Sequence, residues 1–223
     1  MLLPARRLSE RAERYPPRRY RASLLLIGVM RIFVAGASGV IGRLLIPLLV
    51  CERHQVAGMT RSAEKAEALR ELGAEPVVCD VFDASALAEA VKRFRPELVM
   101  DQLTDLPDER DRIAEFAARN NRIRTEGTRN LLAAAQEAGA RRFLAQSIAW
   151  TPPTGGEAVA EHERLVLQAG GVVVRYGTLY GPGTYWEPGR IPPPPRIHVE
   201  EAARQTAGLV EAASGVVVVA EEP

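Results

Sequence analysis

The sequence predicts an α/β protein built on a doubly wound parallel sheet, and two observations carry that prediction. Short apolar runs recur along the chain without polar alternation, each followed by a longer helical stretch. Strands of that kind are buried on both faces, as in a parallel sheet. The first run also passes straight into a glycine-rich turn that opens a helix. Right-handed crossovers between successive strands then place helices on either side of the sheet.

The elements follow in order from Met30. Residues 31–35 are a compact apolar strand, and residues 40–52 are the helix beyond the glycine turn, with Pro47 kinking it or absorbed on its exposed side. Residues 55–59 read as a second strand and 62–72 as a helix stopped by Gly73. A third strand covers 75–79, a helix 84–94, and a fourth strand, opened by Pro96, 97–100. Residues 108–138 are helical with a break expected near Asn120 and Asn121, ending at Gly139. Strands at 142–146 and 172–176 flank a helix at 157–169; a helix at 199–213 leads to an all-apolar last strand at 216–220. The run Pro192–Pro195 is a stiff, exposed connector.

Composition narrows the function classes. The 223 residues are 47% hydrophobic and 26% charged, suited to one soluble domain with at most a small appendage. The longest apolar runs, Leu24–Met30 and Leu44–Cys51, are far shorter than the roughly 18 residues of a membrane span. Seven Arg and two Glu give residues 1–29 a charge of +5, leaving −4 for the rest of a chain whose total is +1. A mildly acidic body is poor material for nucleic acid. Cys51 and Cys79 make neither a disulfide framework nor a metal-ligand pattern, so a cytoplasmic setting and no metal are expected. The proline- and arginine-rich segment 1–29 reads as an extension outside the fold, with Met30 as an alternative start. Residues 30–150 then form a dinucleotide-binding core, and 151–223 hold the remaining strands with a reduced substrate lobe.

The turn Gly36-Ala37-Ser38-Gly39-Val40-Ile41-Gly42 is where chemistry enters. Gly36 allows the tight exit from the strand, Gly39 lets main-chain N–H groups approach a diphosphate, and Gly42 lets the helix pack on the sheet. The helix N-terminus adds partial positive charge where the phosphates would sit. In a βαβ setting this is the signature of a Rossmann, NAD(P)-binding fold. Where a carboxylate after the second strand would repel a 2′-phosphate, this chain has Thr60 and Arg61. A guanidinium suits phosphate, so NADP is favoured over NAD; the plain alternative for Arg61 is a solvated residue before the next helix. Asp80, after the third strand, is placed to accept from an adenine amino group, or is simply a turn residue.

With these residues in order, the chain resembles the short-chain dehydrogenase/reductase superfamily, and within it the atypical and extended branch of NAD-dependent epimerase/dehydratase proteins. Further matching segments are Asp80-Val81-Phe82-Asp83, Gln102-Leu103-Thr104, Glu126-Gly127-Thr128-Arg129-Asn130, Gln146-Ser147, Tyr180-Gly181-Pro182-Gly183 and His198-Val199-Glu200-Glu201. The resemblance spans residues 31–223. It implies that Gly36, Ser38, Gly39, Val40, Ile41 and Gly42 hold the pyrophosphate and that Asp80 and Val81 contact adenine. It further implies that Gln102, Leu103 and Thr104 line the ribose and nicotinamide side, and that Ser147 hydrogen-bonds the reacting oxygen.

One departure is large. The family's Tyr-x-x-x-Lys pair has no counterpart, because no lysine follows Lys92; aligned on Glu163, its positions fall on Gly155 and Val159. Tyr180 is the better remaining candidate for touching substrate, while Glu161-His162-Glu163-Arg164 reads as a solvated helix face. Losing positioned acid–base catalysis costs about 10²–10⁴-fold. The expected function is therefore NADP(H)-dependent hydride transfer on an unknown small carbonyl or alcohol substrate. The alternative is a non-catalytic NADP(H)-binding redox sensor or partner-docking protein. Neither nucleic acid nor membrane is an expected partner, and a homodimer is the expected self-association.

Overall fold

The computed structural model describes residues 28–186 and 189–221, so the reading of the N-terminal extension lies almost wholly outside the described residues. Strands β1 (Arg31–Ala35), β2 (Gln55–Thr60), β3 (Glu75–Val78), β4 (Leu98–Asp101), β5 (Arg142–Ile148) and β6 (Val172–Tyr176) alternate with helices. The helices are α1 (Val40–Cys51), α2 (Ala66–Glu71), α3 (Ala84–Phe94), α4 (Ala117–Arg122), α5 (Thr128–Glu137) and α6 (Gly156–Gln168). Short strands β7 (Thr178–Tyr180) and β8 (Arg196–His198), helix α7 (Val199–Ala207) and strand β9 (Gly215–Val219) follow among the described residues.

The main sheet has seven strands in the order β3-β2-β1-β4-β5-β6-β9, all parallel. Strand β1 sits at the switch point, where the winding reverses, and in such sheets ligands bind outside the carboxyl ends of the strands. Each face carries its own core. On one side Leu45, Ile46 and Leu49 of α1 and Ala202 and Ala207 of α7 pack against Ile32, Val34 and Met100. On the other, Leu87 and Val91 of α3, Leu131 of α5 and Val166 of α6 pack against Phe33, Val99 and Ala145. Alternate residues of β1 thus feed opposite cores, which is why its sequence shows no polar alternation.

The doubly wound sheet is as expected, and the differences lie at its margins. On edge strand β9, Val217 and Val219 turn to the core beside α7, whereas Val216 and Val218 lie on the opposite face and are 43% and 60% exposed despite their apolar character. Helix α7 stops at Ala207, short of the expected 213, and continues only as turns. The expected break at Asn120 and Asn121 falls slightly later, as a π-helical turn over Ile123–Gly127, and residues 110–116 are a 3₁₀ stretch. Pro47 is absorbed on the exposed face of α1. Strands β7 and β8, three residues each, were not expected. They pair parallel to each other and set Tyr180 opposite His198.

The first turn of α1 lies against the chain that precedes it. A Cβ on Gly42 would come within 2.5 Å of the Gly36 carbonyl oxygen and 2.6 Å of that of Ala37, both backbone atoms that cannot swing aside. Gly42→Ala is therefore expected to destabilise the fold by about 1–3 kcal/mol through overpacking. A lowered urea midpoint with an unchanged slope would show it; an unchanged midpoint would refute the close approach.

Candidate functional site

At the end of β1 the chain turns with Gly36 at φ +79°, and a Cβ there would collide with the Gln102 carbonyl at 2.5 Å. Gly39 is the N-cap of α1, in extended conformation and with no side chain to cap the helix, whose first turn carries no acidic residue. The N–H groups of Val40, Ile41 and Gly42 precede the first intrahelical bond, from Arg43 N to Gly39 O at 3.1 Å. A Cβ on Gly39 would meet Gly36 O at 3.2 Å and nothing else within 4 Å, so this corner opens outward. A diphosphate fits this bare helix start, whose donors and dipole both favour an anion.

Beside the turn, the Ser38 hydroxyl pairs with that of Thr60 at 3.0 Å, tying the loop to the end of β2. Arg61 follows, half-exposed, with Nη1 3.5 Å from the Asp105 carboxylate. At the end of β3, Asp80 is exposed and accepts from Phe82 N at 2.9 Å. Val81 is buried, and its carbonyl accepts from Asn130 Nδ2 at 3.0 Å. The ends of β1, β2, β3 and β4 thus share one edge of the sheet, as the sequence implied.

Beyond β4 the expected lining residues behave differently from one another. Gln102 is buried, with its side chain directed at the Tyr176 hydroxyl 3.5 Å away. It offers the turn its main chain rather than its amide. Leu103 accepts from Gln146 Nε2 at 3.1 Å and donates to Asp101 at 3.0 Å, while Thr104 is exposed.

Beneath this edge lies a polar cluster that the sequence reading missed. Asp101, Arg124, Thr128, Ser147, His162 and Glu163 are all buried. Glu161-His162-Glu163-Arg164 is thus only half a solvated face: Glu161 pairs with Arg129 and Arg164 outside, while His162 and Glu163 point into the protein. The signal was the apolar face of α6, Ala158 and Val166, which lies on the same side of the helix. His162 Nε2 faces the Gln146 carbonyl at 3.0 Å, an atom that only accepts, so Nε2 carries the proton. Nδ1 then accepts from the Thr128 hydroxyl at 2.7 Å. Burial pushes His162 below the ordinary imidazole range, against the pull of Asp101. Burial raises the Asp101 carboxyl and lowers the Arg124 guanidinium from their ordinary ranges. Arg124 sits in the π-helical turn, and its buried Nη1 has no partner among the described residues.

Ser147 is fully buried and donates to Glu163 Oε1 at 2.6 Å; Arg175 Nε donates to the same oxygen at 2.9 Å. Its hydroxyl holds a carboxylate. Burial raises Glu163, yet the hydrogen bonds from Arg175 and Ser147 outweigh it and hold the carboxyl below its usual range. Tyr180, half-buried on β7, donates to Glu221 and packs edge-on against His198 with ring centroids 5.2 Å apart. The segments around Tyr180 and His198, distant in sequence, therefore lie side by side. Position 155, aligned with the missing tyrosine, has φ +76°, and a Cβ there would meet Asn121 Oδ1 at 2.5 Å. A tyrosine does not fit this backbone.

Residues 36–164, which contain the turn and most of these groups, match a protein family described as NAD(P)H-binding. The chain belongs to that family. A 3-diazoavenalumate denitrifying reductase from a Streptomyces species is 43% identical over 180 residues, covering 70% of this chain and 58% of that protein. A 4-hydroxy-2-methyl-3-oxo-4-farnesyl-3,4-dihydroquinoline-1-oxide ketoreductase from Stigmatella aurantiaca is 31% identical over 177 residues, 68% of this chain and 51% of that one. The chain thus spans between half and three-fifths of the length of these relatives. Among solved structures, the Thermus thermophilus UDP-glucose 4-epimerase in complex with NAD superposes with a TM-score of 0.72 at 19% identity, covering 87% of this chain and 78% of that one. The Rossmann fold and NAD(P)H-binding character implied by the resemblance are borne out. Among the described residues no helix is long and apolar enough to cross a membrane.

The Glu163 cluster carries a prediction. Glu163→Gln removes a charge-assisted pair and should cost about 1–3 kcal/mol near neutral pH, the lower part applying because Arg175 is partly solvated. A carboxyl depressed in the folded state stabilises above its unfolded pKa and loses that contribution as pH falls through its folded value. The wild type should therefore lose stability more steeply than the variant on acidification below about pH 4.3. Parallel curves of unfolding free energy against pH would contradict this.

Proposed function

We propose that this NAD(P)H-binding chain forms the NADP(H)-binding core of a reductase acting on a small carbonyl-type acceptor in a reducing cytoplasm. One observation carries the reading: a helix start without a capping side chain, opened by Gly36 and Gly39 at the switch point of the sheet. The two relatives named as reductases, one a ketoreductase, support the reaction class. The guanidinium of Arg61, in place of a carboxylate after β2, supports NADP over NAD.

The main-chain N–H groups of Val40, Ile41 and Gly42 would hold the diphosphate, and Ser38 and Thr60 would flank the adenosine ribose. When bound, the nicotinamide supplies a hydride. The protein's part is to orient the acceptor and deliver a proton. Tyr180 is the side chain offered for that proton, kept protonated above the usual phenol range by its hydrogen bond to Glu221 and then by burial. Ser147 acts one step back, by fixing Glu163 and, through it, Arg175.

A second reading, binding without turnover, is favoured by the hydroxyls already engaged: Ser147 with Glu163 and Tyr180 with Glu221. The two readings separate in one experiment, in which NADPH binding is followed by its fluorescence and its oxidation is then screened against aldehydes and ketones. Binding with acceptor-dependent oxidation supports the reductase; binding with none across the panel supports the sensor.

Two substitutions test the binding site. Gly39→Val should lower the thermal unfolding midpoint modestly, because valine is a poor N-cap and its Cβ would press on Gly36 O. The variant that is still folded should bind NADPH and NADH alike at least about tenfold more weakly; retained affinity would remove the turn from the site. Arg61→Ala should weaken NADPH by about ten- to hundredfold and NADH by less than about twofold. Equal losses would show that the arginine does not meet the 2′-phosphate.

A further inference from the structure

Arg61 does not stand alone. Asp105, in the loop after β4, is only 6% exposed, yet the cations that meet it are half-solvated. Its Oδ2 takes Nε of Arg119 at 3.1 Å and lies 3.5 Å from Nη1 of Arg61. Arg119 comes from α4, on the far side of the loop, and both arginine side chains are about half exposed, at 56% and 45%. The loop is fastened there a second time, by Asp105 N donating to Asn120 Oδ1 at 3.1 Å. Arg119 also lies over the Phe116 ring at 4.6 Å, which limits its freedom. Two guanidiniums from separate elements therefore converge on one carboxylate oxygen. They do so next to Thr60, whose hydroxyl reaches the glycine turn.

The charges do not balance: two cations share a single negative charge. A phosphate monoester carries about −1.5 to −2 charges near neutrality and presents three acceptor oxygens, which suits paired arginines better than one carboxylate does. A ribose hydroxyl offers no charge and gains nothing by replacing Asp105. Resting on the NADP(H) reading above, we infer that Arg119 is the second guanidinium of the 2′-phosphate subsite. Asp105 is its resident counter-ion, which the phosphate displaces. Specificity then has two parts, attraction by Arg61 and Arg119 and a built-in competitor that the uncharged ribose of NAD cannot move.

The test measures dissociation constants of the full chain for NADPH, NADH and 2′,5′-ADP at fixed ionic strength. Arg119→Ala should weaken NADPH and 2′,5′-ADP by about ten- to hundredfold and NADH by less than about twofold, and Arg119→Lys should recover part of the loss. Asp105→Asn, which keeps an oxygen for Arg119 but removes the competing charge, should tighten NADPH and 2′,5′-ADP several-fold and leave NADH unchanged. If Arg61→Ala weakens NADPH while Arg119→Ala and Asp105→Asn leave it unmoved, the inference falls and the NADP reading stands. If the wild type binds NADH as tightly as NADPH and Arg61→Ala changes neither, both fall. Should Arg119→Ala lower the unfolding midpoint, Asp105→Asn alone decides.

Discussion

The site depends on how closely three pieces of main chain meet at the end of β1. Gly36 lies against the Gln102 carbonyl, and Gly42 lies against the carbonyls of Gly36 and Ala37. With side chains at those positions, β4 would be held away from β1 and the start of α1 away from the sheet. The consequence is functional as well as structural. The absence of Cβ atoms brings the ends of β1 and β4 and the N-terminus of α1 together, so unpaired amides face a common edge. Each nearby group is then set by its distance from that junction: Ser38 and Thr60 by their shared hydrogen bond, Asp105 by the loop leaving β4, and Leu103 through Asp101.

A second constraint lies beneath that edge. Asp101, Ser147 and the buried face of α6 place hydroxyl, imidazole and carboxyl groups inside the protein, where each has to be paired to be tolerated. The pairs form readily. Thr128 and the Gln146 carbonyl take both nitrogens of His162, and Ser147 and Arg175 share Glu163. Such a network fixes the register of α6 on β5 and β6, and it engages groups whose chemistry would otherwise suit proton transfer. Arg124 is the exception. It is held in the sheet's polar underside by the π-helical turn, a distortion that often marks functional segments.

Small strands β7 and β8 do a different job. Each sends one apolar side chain, Leu179 and Ile197, to the core beside α7, and together they set Tyr180 against His198 and bring Arg196 to Glu221 at 2.9 Å. The segment therefore has a defined shape with little core of its own. Its geometry comes from the pairing of the two strands, the anchor of Ile197 in the main core, and paired polar and aromatic side chains on the carboxyl side of β6.

Much of the fold was legible in the sequence, because local patterns reflect local causes. A buried parallel strand needs an unbroken apolar run, a strand-to-helix turn under a diphosphate needs glycines at fixed spacing, and Gly73 and Gly139 end helices at positive φ. The glycine turn, the placing of Thr60 and Arg61 at the end of β2, and the lack of a Tyr-x-x-x-Lys pair could all be read that way. What tertiary structure alone decided depends on distance through space. Burial of His162 and Glu163, hinted at only by Ala158 and Val166 on the same side of α6, depended on that side meeting the sheet, and exposure of Val216 and Val218 on their face of β9 being left uncovered among the described residues. Three-residue strands separated by a proline-rich connector have no period to detect, so the pairing of Tyr180 with His198 was invisible. The approach of Arg119 to Asp105 was equally so, since it joins a loop to a helix 14 residues away, and no spacing in the sequence encodes which charged side chains a fold will bring together.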